Sequence, residues 1–183
     1  MSARAVFLDR DGVLNPSPIR RGRPRAPITL AELQLFPWVA GAVDALHEAG
    51  FSCLVVTNQP DVASGELPAS TLAAMHARVL EETGVDDIYV CPHGQNDGCA
   101  CRKPRPGLVL RAARDWSVDL AASFLVGDRP SDIEAGRAAG CRTVLVDGPE
   151  HGHVQPDYRV RDLRAAVTTI LKLSEVATVR GPT

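Results

Sequence analysis

The chain of 183 residues has no apolar run long enough to cross a bilayer, so a membrane-spanning helix is excluded. It also lacks an excess of charge of either sign. A net charge of -2 gives no global electrostatic case for nucleic acid or a membrane, and neither partner is expected. The first residues lack the charged, apolar and small-residue order of a signal peptide, and an apolar run begins almost at once. A cytoplasmic location is therefore expected. No internal repeat and no low-complexity tract occurs. The five cysteines are an odd number and unevenly spread. In a chain without an export signal, that reads as metal binding before disulfides.

What is present is ordinary for a soluble globular protein: 45% apolar and 23% charged residues. The length suits one domain with a full core, expected over residues 1–174, with a flexible tail at 175–183. Short apolar runs at Val6–Leu8, Cys53–Thr57, Ile88–Cys91, Phe124–Val126 and Thr143–Val146 read as strands. Helical patterns alternate with them near Val39–Ala49, Ala69–Glu82, Gly107–Trp116, Ser131–Ala139 and Asp162–Leu173. This alternation predicts an α/β three-layer sandwich around a parallel sheet. Cys53 and Cys141 read as core, and Trp38 and Trp116 as packing residues. His151 and His153 read as loop residues.

Two stretches break the alternation, Asn15–Pro37 and Pro92–Pro106. Long loops in compact domains are usually functional or disordered. The first carries Arg20, Arg21, Arg23 and Arg25, either a solvated surface run or a contact for an anionic substrate.

Polar groups follow four of the strands: Asp9 and Asp11, Thr57 and Asn58, Arg102 and Lys103, and Asp128 with Asp132 one turn on. In a parallel sheet the strand ends face one way, so these groups converge on one crevice. Two carboxylates as close as Asp9 and Asp11, at a buried strand end, repel and resist ionisation unless a cation compensates. Asp9 suits a nucleophile on phosphorus, and Asp11 a proton carrier. Thr57 offers a hydroxyl and N–H, Lys103 a point charge, and Asp128 a hard oxygen for Mg²⁺. Together they suit phosphoryl transfer. Asp132 either braces the metal site or only favours its helix N-terminus.

The segments Asp9-Arg10-Asp11-Gly12-Val13, Thr57-Asn58-Gln59, Cys101-Arg102-Lys103-Pro104 and Val126-Gly127-Asp128 resemble the ordered motifs of the haloacid dehalogenase (HAD) phosphohydrolases. They are most similar to the branch of heptose bisphosphate and histidinol-phosphate phosphatases. The resemblance implies a HAD-like Rossmannoid fold without a cap domain. It implies an Asp9 nucleophile and an Asp11 general acid/base. Mg²⁺ would lie on the Asp9 side chain, the Asp11 backbone carbonyl and Asp128, with Thr57 and Lys103 stabilising the phosphoryl group. The expected substrate contacts are Arg10, Ser17, Arg20, Asn58, Gln59, Arg102 and Arg129. In this branch substrate contacts fall just after the first motif, here Ser17 to Arg20. The implied substrate is a phosphorylated sugar, preferably a heptose bisphosphate, handled by a monomer. Histidinol phosphate is the alternative.

Cys91, His93, Cys99 and Cys101 match a closed structural Zn²⁺ site over residues 91–101, and the same pattern occurs in that branch. The clamp would hold Arg102 and Lys103 over the crevice. The chain departs from the branch at Pro60-Asp61 and Ser64, where related sequences carry Ser-Gly and a cation. Sugar specificity is therefore the least constrained expectation. Two other classes compete. A phospho-acceptor signalling domain also gathers Asp, Thr and Lys at a sheet edge, but usually on a later strand. A zinc-organised binding module leaves Asp9, Asp11 and Asp128 unexplained.

Overall fold

The computed structural model describes residues 3–20, 22–148 and 154–179. Its centre is a six-stranded sheet in the order β5-β4-β1-β6-β7-β8, parallel throughout. The strands are Arg4–Leu8 (β1), Phe51–Asn58 (β4), Asp87–Cys91 (β5), Phe124–Gly127 (β6), Arg142–Val146 (β7) and Tyr158–Val160 (β8). The three central strands β4, β1 and β6 are covered on both faces, which is why they read as near-continuous apolar runs.

Successive side chains point to opposite faces, and this alternation divides the core in two. Val6 and Leu8 of β1 pack towards the helices Val39–Glu48 (α1), Ala69–Thr83 (α2) and Leu163–Val179 (α5). Ala5 and Phe7 pack the other way, where Gly107–Asp115 (α3) and Pro130–Ala139 (α4) lie. The three-layer sandwich expected from sequence is thus present. Cys53 and Cys141 lie in the core. Trp38 stacks on Phe36 at 4.9 Å, and Trp116 packs against the second core cluster.

Three features depart from the sequence reading. The strand β8 pairs with β7 at the sheet edge and was not expected. A small antiparallel hairpin, Ile19–Arg20 (β2) with Arg23–Pro24 (β3), stands in the loop after β1. Helix α5 runs on to Val179, so the tail boundary placed at 174 falls inside a helix. Residues 180–183, Arg21, His151 and His153 lie outside the described residues. Among the described residues, only the hairpin and turns separate β1 from α1, so nothing of cap-domain size intervenes. No helix among them is long and apolar enough to cross a membrane.

The chain crosses from β1 to β4 and β5 on one side, then returns to β6 on the other. Strand order therefore switches beside β1. Open α/β sheets bind ligands outside the strand ends at such a point.

Candidate active site

Asp9 follows β1 directly, and its N–H donates to Val126 O at 2.9 Å. The carboxylate therefore hangs from the last rung between β1 and β6. Asp128 follows β6, and Asp132 sits on the first turn of α4, where Pro130 pre-sets the helix start. One carboxylate oxygen from each of Asp9, Asp128 and Asp132 falls within 4.8 Å of the others. Two glycines permit this crowding. Gly12 has φ +97°, and a Cβ there would stand 2.1 Å from Asp128 Oδ2. A Cβ on Gly127 would stand 2.2 Å from Asp132 Cβ.

Lys103 enters from the loop beyond β5 and is buried. Its Nζ lies 2.8 Å from Asp9 Oδ1, 2.8 Å from Val56 O and 2.6 Å from Asp132 Oδ1. The first two are hydrogen bonds and the third an ion pair, so two carboxylates and a carbonyl hold the ammonium. Burial pushes Lys103 towards neutrality, but Asp132 and Asp9 outweigh it and hold its pKa above the ordinary lysine value. One ammonium does not neutralise three carboxylates. Burial, with Asp132 and Asp11, raises Asp9 to about 6 against the pull of Lys103. Burial, with Asp9 and Asp132, raises Asp128 to about 8 against Arg129 and Lys103. Asp128 Oδ1 is buried with no hydrogen-bond partner. A hard divalent cation supplies the missing charge and takes that oxygen as a ligand, so the donor set fits Mg²⁺.

Asp11 stands apart from this trio. Its carboxylate accepts from Arg10 Nε at 3.1 Å and Nη2 at 3.0 Å, from Asn15 Nδ2 at 3.0 Å and from Gln59 Nε2 at 2.7 Å. It still borders the crevice, a cavity of about 660 Å³ shared with Asp9, Lys103 and Asp132. Asp132 faces both the carboxylate cluster and its own helix start. One oxygen meets Lys103, and the other accepts the Arg129 N–H at 3.0 Å, capping α4.

Several expected substrate contacts are relocated. Arg10 and Gln59 are 0% exposed. Their side chains point inward, donating to Asp11 and, for Gln59, to Thr57 Oγ1 at 2.9 Å, and neither is among the residues that line the crevice. Asn58 borders the crevice, but its amide is engaged with the Lys103 backbone, donating to O and accepting from N at 3.1 Å each. Ser17 does not border the crevice, and Arg20 lines a smaller adjoining cavity. Thr57 is buried beneath the site. Arg102 and Arg129 do line the crevice, with Arg23, Arg25 and Arg105. Sequence spacing alone gave no sign of Arg105 or Asp61 as crevice residues.

The second cluster is built on the loop after β5. Cys91 Sγ lies 3.6 Å from Cys99 Sγ, 3.3 Å from Cys101 Sγ and 3.5 Å from His93 Nδ1. Cys101 Sγ lies 3.3 Å from His93 Nδ1. Ligand atoms around tetrahedral Zn²⁺ stand about 3.5–3.8 Å apart, given Zn–S near 2.3 Å and Zn–N near 2.0 Å. These four separations are thus within about half an ångström of a zinc cage, and all four ligand atoms lie within 4.8 Å of one another. Burial pushes the Cys91 thiol up to about 12, a proton that a bound Zn²⁺ displaces. From the same loop, Arg102 Nη1 donates to His93 O at 3.2 Å, tying the crevice cation to the cage.

A HAD-hydrolase-like family model matches residues 100–166. The chain is 41% identical over 151 residues to a D-glycero-beta-D-manno-heptose-1,7-bisphosphate 7-phosphatase of Pseudomonas aeruginosa, covering 80% of this chain and 82% of that protein. It is 35% identical over 176 residues to the enzyme of the same name from Rhodopseudomonas palustris, covering 90% and 94%. Among solved structures, a D,D-heptose 1,7-bisphosphate phosphatase from B. bronchiseptica, complexed with magnesium and phosphate, superposes with a TM-score of 0.80. That match has 34% identity and covers 93% of this chain and 99% of the other.

Proposed function

We propose a specific phosphatase activity for this chain, which belongs to the HAD-like hydrolases and, within them, to the heptose-1,7-bisphosphate 7-phosphatase family. It removes the C7 phosphate of D-glycero-D-manno-heptose 1,7-bisphosphate, a step in supplying nucleotide-activated heptose. The observation that carries this reading is Asp9, held 2.8 Å from a buried Lys103 beside a buried Asp128 oxygen that accepts no hydrogen bond, at the sheet's switch point.

Asp9 attacks phosphorus, forming an aspartyl-phosphate as the bond from phosphorus to the sugar O7 breaks. Asp11, oriented by Arg10, Asn15 and Gln59, gives its proton to the leaving O7. It then takes a proton from water, which attacks phosphorus and frees Asp9 and inorganic phosphate. Lys103 stays beside the nucleophile and balances the charge gathering on the phosphoryl oxygens. Asp9, the Asp11 carbonyl and Asp128 would hold a Mg²⁺, which would supply Lewis-acid compensation for the same charge. Cys91, His93, Cys99 and Cys101 would hold a Zn²⁺, which would keep the Arg102–Lys103 loop in place.

Five arginines around one cavity suit a substrate with two phosphates, one reacting and one held. Zinc thiolates suit the reducing cytoplasm. The test is a steady-state panel of α- and β-heptose 1,7-bisphosphates, histidinol phosphate and p-nitrophenyl phosphate with Mg²⁺. A heptose bisphosphate is expected to give the highest kcat/KM. Preference for histidinol phosphate would overturn the substrate, and loss of no activity in Asp9→Asn would overturn the mechanism.

A further inference from the structure

The crevice receives an anion, yet one wall carries a carboxylate that no catalytic step uses. Asp61, in the turn between β4 and α2, lines both the main crevice and the smaller cavity beside it. A carboxylate close to a phosphate position repels the ligand unless a cation occupies it. Asp61 Oδ2 lies 3.4 Å from Arg20 Nη2, and the two side chains are only 12% and 24% exposed.

The same Arg20 nitrogen also donates to Ala26 O. Ala26 belongs to the stretch Arg23–Ala26, which forms the wall of the crevice on the hairpin side. The Arg25 N–H donates to Pro18 O at 2.9 Å and closes the far end of that stretch. The Asp61 end is anchored too. The Asp61 carbonyl accepts from Leu67 N at 2.8 Å and from Ser64 Oγ at 3.1 Å. The hairpin itself is weakly founded. Its strands have two residues each and pair with each other, apart from the six-stranded sheet. An isolated two-stranded hairpin is at best marginally stable in water.

We propose that the Arg20–Asp61 pair straps the arginine-bearing hairpin wall to the catalytic edge of the sheet, which makes Asp61 a positioning residue for the non-reacting end of the substrate. The strap places Arg23 and Arg25 over the crevice without placing Arg20 or Asp61 on the substrate. Its negative charge is neutralised by Arg20, so the crevice keeps its cationic balance. The proposal rests on the reading of this crevice as a sugar bisphosphate site.

The test uses Asp61→Asn, Arg20→Gln and the double variant of the full chain. Each single change is expected to raise KM for the heptose bisphosphate about fivefold, the most a partly exposed pair delivers, with kcat within about twofold. The double variant is expected to match the worse single, because both remove one interaction. Asp61→Glu, which keeps the charge, is expected to restore most of the KM. Amide hydrogen exchange over residues 18–27 is expected to speed up in Asp61→Asn. An unchanged or lowered KM, effects that multiply in the double, or unaltered exchange would each overturn the strap. If the wild-type chain does not turn over a heptose bisphosphate, the functional reading fails instead, and the exchange measurement decides the strap alone.

Discussion

Asp9, Asp128 and Asp132 stand at the ends of buried strands or on the first turn of a helix, whereas Cys99 and Cys101 stand in a loop whose residues Gln95 to Gly98 are exposed. Both groups gather metal-ligating atoms within 4.8 Å. The sheet register and a capped helix hold the carboxylates together against their own repulsion. Their geometry stands on the core, and a cation is needed for charge rather than for shape. Cys91 belongs to the second core cluster and Cys99 and Cys101 pack against it, but the stretch between them is exposed, so there the ligands themselves organise the loop. Removing a member of the first group should damage chemistry and spare the fold. Removing a member of the second should damage local structure first.

The sharpest break of this comparison is Asp9→Asn. Turnover is expected to fall on the order of 10⁴-fold or more, as for loss of a nucleophile elsewhere, with the fold intact by circular dichroism. A melted Asp9→Asn protein would mean that the carboxylates carry the fold after all.

Next comes Lys103→Ala, which leaves Asp9 and Asp132 buried without their cation. We expect kcat to drop about 10²- to 10³-fold. We also expect stability to fall by about 3–5 kcal/mol in chemical denaturation. Here chemistry and fold are lost together, because one ammonium serves both.

Cys99→Ser probes the other side. Zinc content by mass spectrometry is expected to fall below one ion per chain, with faster hydrogen exchange across residues 92–106. The decrease in kcat/KM should be about tenfold or more, as with loss of a structural metal ligand, yet smaller than that of Asp9→Asn. Full zinc occupancy with an unchanged loop would remove the distinction between the two clusters.

The smallest effect is a pH dependence. In the metal-free protein Asp9 and Asp128 titrate near 6 and 8, above the ordinary value of 3.8. Between about pH 4 and 8 the folded chain therefore holds protons that the unfolded chain has released, and stability falls as pH rises. Mg²⁺ displaces those protons. The gain in Tm on adding Mg²⁺ is thus expected to be larger at pH 8 than at pH 5.5, and an equal gain at both would contradict the charge deficit.

The five helices and the five more apolar strands were legible because their residues repeat at helical or buried-strand spacing. Strand β8 was not. Tyr158-Arg159-Val160 is three residues long with a charged middle, and only pairing with β7 makes it a strand. The hairpin of β2 and β3 escaped for the same reason. In the site, Asp9, Lys103 and Asp128 were legible because short motifs put them at strand ends or beside a metal cage. The inward turn of Arg10 and Gln59 was not legible, because a motif gives a residue's position but not where its side chain turns. After β1 the chain curls back, Leu14 N donates to Arg10 O at 2.8 Å, and Arg10 folds onto Asp11.

Residue order by itself determined the parallel α/β class, the carboxylate pair, the lysine and the four zinc-type ligands, because strand periodicity and ligand chemistry are local properties. Tertiary structure alone decided that a buried Asp128 oxygen accepts no hydrogen bond, that Asp132 shares Lys103 with Asp9, and that Asp61 faces Arg20. Those outcomes depend on distances between strand ends and loops far apart in sequence, and on burial, which sets how strongly neighbouring charges act on one another.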